Sequence, residues 1–73
     1  MGAFGVVLFY TTSSVMRAEK ILMKENLTVK LIPTPRDLSS DCGIALRFDW
    51  DHVDRVEDLL DTARVEFDAI YQI

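Results

Sequence analysis

Seventy-three residues, 49% of them hydrophobic and 27% charged, make one small globular domain and exclude a disordered tail, a collagen-like chain or a low-complexity segment. Eight Lys and Arg against twelve Asp and Glu leave a net charge of -4. Such a surface repels phosphate, which argues against nucleic acid and anionic membranes as partners.

The first ten residues, Met1 to Tyr10, are apolar but carry no basic stretch and run into Thr11-Thr12-Ser13-Ser14. They read as a strand and not as a signal peptide. Within them, Phe4 to Tyr10 is a continuous β-branched and aromatic run, the pattern of a central strand covered on both faces. Thr12, Ser13 and Ser14 are candidate N-caps for a helix from about Ser14 to Glu25. Val15, Ala18, Ile21 and Leu22 form its apolar stripe, with Arg17, Lys20 and Lys24 mostly opposite. Asn26 suits the left-handed position that ends a helix.

Thr28 to Ile32 alternates as an edge strand, and Pro33 and Pro35 are expected to stop its ladder because proline has no N–H to donate. Gly43 to Phe48 is a third strand, with Ile44, Leu46 and Phe48 on one face and Ala45 and Arg47 on the other. Asp49 or Asp51 caps a second helix. Val53, Val56, Leu59, Leu60 and Ala63 are its buried stripe, while Asp54, Glu57, Asp58 and Asp61 face water. A fourth strand places Phe67, Ala69, Tyr71 and Ile73 on one face and Glu66, Asp68, Ile70 and Gln72 on the other.

This order predicts an α+β fold: a ferredoxin-like βαββαβ sandwich spanning residues 1–73 as one domain. Its four-stranded antiparallel sheet has the expected order 4-1-3-2, with both helices on one face. A domain of this size buries only about 60% of the surface its unfolded chain exposes. A homodimer that covers part of the sheet is therefore expected. No apolar run approaches the roughly 20 residues that cross a bilayer.

Strands two and three should be joined by a turn of about 2–5 residues. Instead Pro33-Thr34-Pro35-Arg36-Asp37-Leu38-Ser39-Ser40-Asp41-Cys42-Gly43 connects them. Two prolines stiffen this segment, and Thr34 between them is held extended. Leu38 offers an apolar anchor. Long connections of this kind are usually functional. This one carries the only cysteine to the start of a central strand. With one cysteine, no intramolecular disulfide and no multi-cysteine metal site can form within the chain. A reducing cytoplasm is the expected setting.

The thiolate is the reactive form of a cysteine. Ser39, Ser40, successive backbone N–H groups ending at Gly43, and the cations Arg36 or Arg47 would favour an anion at Cys42. Gly43 is expected to supply positive φ and clear space beside the sulfur. Asp37 and Asp41 oppose the anion. The residues alone leave two readings open: a reactive thiol held out by a rigid bend, or a small buried hydrophobe.

The run Leu31-Ile32-Pro33-x-Pro35-Arg36-x-Leu38-Ser39-Ser40-x-Cys42-Gly43-Ile44-Ala45 resembles the signature of the Se/S carrier-like family of small bacterial and archaeal proteins. The first strand with its Ser/Thr cap, the Ala18-Glu19 pair and the closing Ile70-Tyr71 strand also fit. The resemblance implies a carrier that holds sulfur or selenium on Cys42 as a persulfide or selenosulfide. It implies a sulfurtransferase-like or selenium-handling partner and no cofactor. Arg36, Ser39, Ser40, Gly43 and Arg47 would then hold the cargo anion.

Other residues have plainer readings. His52 has no second ligand at metal spacing and reads as a surface residue. Trp50 is expected to pack over the sheet edge, and Met16 and Met23 to fill gaps in the core or border the helix stripe. Tyr10 and Tyr71 are expected at strand ends. No Gly-rich phosphate loop, paired-cysteine motif or Ser/His/Asp set is present, so a self-sufficient enzyme is not expected. The alternative to a carrier is a non-catalytic binding or regulatory module in which Cys42 is structural, an inference from fold analogy.

Overall fold

The computed structural model describes residues 3–38 and 42–73. Its elements are β1 (Phe4–Leu8), α1 (Thr12–Lys24), β2 (Val29–Pro33), β3 (Ile44–Asp49), a single 3-10 turn (Trp50–His52), α2 (Val53–Thr62) and β4 (Ala69–Gln72). The four strands form one sheet in the order β2-β3-β1-β4, which is 4-1-3-2 when counted from the other edge. All neighbours are antiparallel. The two most buried strands, β1 and β3, lie in the middle, where each has a neighbour on both sides.

Alternation along the strands sorts the side chains into two layers. Val7, Phe9, Leu46 and Phe48 share one buried cluster with Val15, Ala18 and Leu22 of α1 and with Val56 and Leu60 of α2. Both helices therefore cover the same face, and both predicted stripes point inward. Leu22, Leu46 and Leu60 are fully buried, and burial of each such side chain contributes about 1.5–3 kcal/mol. The opposite face has a smaller core of Val6, Leu8 and Ala45, packed against Ile32 and Leu38. Leu38 reaches it from the β2–β3 connection and is the anchor the sequence offers.

Several boundaries differ from the expected ones. β1 ends at Leu8, and the cap of α1 is Thr11, whose Oγ1 accepts a hydrogen bond from the Ser14 N–H at 3.2 Å. Thr12, Ser13 and Ser14 lie inside the helix instead. Pro33 is the last residue of β2, one beyond the expected end at Ile32. It is paired opposite Ile44 at the end of an edge strand, a place where a missing N–H is tolerated. Asp49 is the second cap, accepting from the Asp51 N–H at 3.1 Å. The expected alternation of Phe67 with Ile70 does not hold: both pack against the helix-side cluster, while Tyr71 and Ile73 are exposed. The strand begins only at Ala69, so alternation counted from Phe67 does not carry through. Met16 and Met23 are exposed on α1 and fill no gap in the core. His52 lies at the surface.

The two helices end in the same way. Leu27 N–H donates to Leu22 O and Asn26 N–H to Met23 O; Val65 N–H donates to Leu60 O and Arg64 N–H to Asp61 O. These are paired Schellman bonds, which satisfy carbonyls the helix leaves open. Asn26 (φ 63°) and Arg64 (φ 57°) hold the left-handed position. The apolar residue that follows each, Leu27 or Val65, is buried. Arg17 donates to Ala63 O at 3.1 Å and ties α1 to the end of α2. The Arg55–Glu25 ion pair at 3.1 Å has both side chains about half exposed and adds little.

Gly5 has a steric duty. Phe48 and Trp50, stacked with ring centroids 6.1 Å apart, sit over its backbone. A Cβ there would lie 2.7 Å from Trp50 Cε3 and 2.8 Å from Phe48 Cε1. Trp50 is fixed further by its N–H bond to Ala3 O at 3.1 Å. Gly5→Ala is expected to lower stability by about 1–3 kcal/mol through overpacking, read as a lower urea midpoint at unchanged m. Arg64→Gly should raise the midpoint, by roughly 0.5–1 kcal/mol, because glycine adopts positive φ without strain.

Candidate functional site

The site is built where the end of β1 meets the start of β3. The register pairs Leu8 with Ala45. Continuing outward, the chain that leaves β1 to start α1 runs beside the chain that enters β3. Thr12 opens α1 and Cys42 lies two residues before β3. Their side chains meet: Thr12 Oγ1 is 3.8 Å from Cys42 Sγ. The cap of α1 uses the Ser14 and Val15 amides. The Thr12 and Ser13 amides come before the first intrahelical bond. The first turn of α1 carries no acidic residue, so no side chain of that turn offsets the positive end of the helix dipole.

Thr34 fixes the other side. Its N–H donates to Gly43 O at 3.0 Å and its hydroxyl donates to Cys42 O at 2.9 Å. These two bonds close the base of the β2–β3 connection just beyond β2. Further out, Leu38 N–H donates to Pro35 O at 3.0 Å, forming a turn through Arg36 and Asp37. Thr12 and Thr34 are the two contact residues that residue-type reasoning passed over. By residue type alone Thr34 is an extended residue between prolines and Thr12 a cap candidate.

The thiol is not held out in solvent. Cys42 is 5% exposed and belongs to the helix-side cluster with Leu46 and Phe48. This corrects the expectation of a presented sulfhydryl: strand alternation turns the side chain under α1. Gly43 also differs from expectation. Its φ is not positive, and a Cβ placed on it would meet nothing within 4 Å, so it neither makes a special turn nor clears space. Arg47 lies on the sheet face away from the helices, its guanidinium 4.4 Å from the centre of the Phe4 ring. It is separated from the sulfur by the sheet. Arg36 is exposed in the turn. Ser39, Ser40 and Asp41 lie outside the described residues. Among the described residues, no group of three or more His, Cys, Asp or Glu is arranged to hold a metal ion, and no helix is long and apolar enough to cross a membrane.

The Thr12 hydroxyl at the start of α1 lies beside the sulfur, and Thr34 bonds the carbonyls of the backbone that carries it. No curated protein and no solved structure matches the chain significantly. Comparison with known families matches residues 4–72 to the one described as "Putative Se/S carrier protein-like". With nearly the whole chain covered, the protein belongs to that family.

Proposed function

We propose that the protein carries a sulfur or selenium atom on Cys42, taking it from one protein and delivering it to another. The observation that supports this most is the placement of the Cys42 sulfur at the first turn of α1, 3.8 Å from the Thr12 hydroxyl, in a chain of this family. In loading, the Cys42 thiolate attacks the outer atom of a donor persulfide, R–S–SH. The donor S–S bond breaks, its thiolate leaves, and Cys42–S–SH forms. A selenosulfide donor loses selenium in the same way. The atom moves at the zero-valent level, so no outside oxidant or reductant is consumed. The outer atom then carries negative charge. The Thr12 and Ser13 amides and the Thr12 hydroxyl would stabilise it, with Ser39, Ser40 and Arg36 of the connection as further candidate donors. Each charge-assisted bond contributes about 1.5–3 kcal/mol. In delivery, an acceptor thiolate attacks that outer atom and Cys42 leaves as thiolate. A lone cysteine suits such a handover, because a second one nearby would discharge the cargo as an internal disulfide.

The chemistry asks for a reducing compartment such as the cytoplasm, and for a sulfurtransferase-like or selenium-handling protein on either side of the handover. We read the topology as ferredoxin-like, and place the expected homodimer at the exposed Tyr71 and Ile73 of the β4 edge.

The burial of Cys42 favours a second reading, in which the residue is a structural part of a binding module. The two readings make opposite statements about access. Incubated with a persulfide or selenosulfide donor, the carrier gains the mass of one sulfur or one selenium, and Cys42→Ala gains none. Identical masses for the two proteins would end the carrier reading. Because the sulfur is covered, iodoacetamide should label the native protein about tenfold or more slowly than the unfolded chain. In the carrier, labelling still proceeds under conditions where the fold is intact by hydrogen exchange. In the module, labelling occurs only with global unfolding. Thr12→Val should leave the fold in place and lower the yield of adduct, since it removes the hydroxyl beside the sulfur while keeping the side-chain shape.

A further inference from the structure

The other face of the sheet holds a second feature that the carrier reading does not use. Lys30 of β2 and Arg47 of β3 are paired directly across the strands, and both project away from the helices. Like charges opposed in this way are unfavourable. Among the described residues neither forms an ion pair, in a chain whose net charge is -4. Arg47 is half-buried and is fixed by the Phe4 ring under its guanidinium plane, which leaves the N–H edge of the guanidinium as its polar outlet. Beside the pair lies a groove of about 280 Å³ lined in part by Phe4, Thr28, Lys30, Arg47 and Asp49. Asp49 already accepts the Asp51 N–H, so its carboxylate is held in position at the groove wall.

We propose that this groove is a binding site for a small monocarboxylate, whose carboxylate is shared between Arg47 and Lys30. A fixed planar guanidinium matches a carboxylate edge to edge. The bound charge relieves the opposition of the two cations. Phe4 and the aliphatic stem of Lys30 offer apolar surface to the body of the ligand. Asp49 sets the charge limit: one negative charge is balanced by the two cations, while a second would share the groove with the Asp49 carboxylate. At about 280 Å³ the groove falls just below the range for drug-sized sites, about 300–1,000 Å³, which limits it to a compact ligand. The site lies across the sheet from Cys42, and its existence does not depend on sulfur or selenium transfer.

Amide NMR titration at fixed ionic strength tests this, with acetate and propionate as probes and inorganic phosphate as the contrast. Expected are saturable shifts at Phe4, Thr28, Lys30 and Arg47, tighter for propionate, which adds apolar surface, and weaker for phosphate. Lys30→Gln should raise Kd about tenfold or more, the loss of one charge-assisted bond. Arg47→Lys should do the same, because lysine keeps the charge and loses the planar fork. Lys30 is exposed, so its variant folds whatever the fate of the Arg47 variant. Shifts that stay linear without saturation, affinities equal in wild type and Lys30→Gln, or phosphate binding as tightly as propionate would each overturn the proposal.

Discussion

The pairing of β1 with β3 is the constraint on which the rest of the molecule depends. It places the two most buried strands together at the centre, and its register sets Leu8 against Ala45. That alignment determines which loop ends become neighbours. The exit of β1 and the entry of β3 lie side by side, so the first turn of α1 meets Cys42. Side-chain direction alternates with every residue, and a slip of one position would turn Cys42 toward the opposite face and bring Arg47 under the helices. Gly5 and its two covering aromatics are steric evidence of how closely that register is specified.

The connection between β2 and β3 joins the two layers of the domain. Leu38 covers Val6, Leu8 and Ala45 on the face without helices. A few residues later Cys42 packs on the face that has them. Leu38 thus adds cover to the face without helices, and Cys42 to the other. For a chain with so little interior, this accounts for the complete burial of Val6 and Ala45 on a face that no helix protects.

Most of the architecture was legible in the residue pattern. The stripes of α1 and α2 repeat at helical spacing, and Asn26 has a side chain that tolerates the left-handed position. Arg64 gave no such signal, because arginine has no local preference for that conformation. In β4, Phe67 and Ile70 share a side because alternation does not run through residues that are not yet strand. At the site, alternation alone separates Arg47 from Cys42, since odd and even positions of β3 face opposite ways; proximity in sequence made the arginine look available. The Thr12 contact was implicit in the expected strand order, which already made β1 and β3 neighbours. Burial of the thiol was harder to read. It depends on how α1 lies over the end of the sheet, and no single residue records that.

Thr34 grips the site through main-chain oxygens. Both of its bonds end on carbonyls, those of Cys42 and Gly43, and neither involves the sulfur. The scaffold is thereby decoupled from the identity of the atom it displays. Oxygen, sulfur or selenium at that side-chain terminus would be held by the same clasp, which makes this position an interchangeable socket whose occupant can be altered by mutagenesis or isotopic and elemental substitution without dismantling its mount.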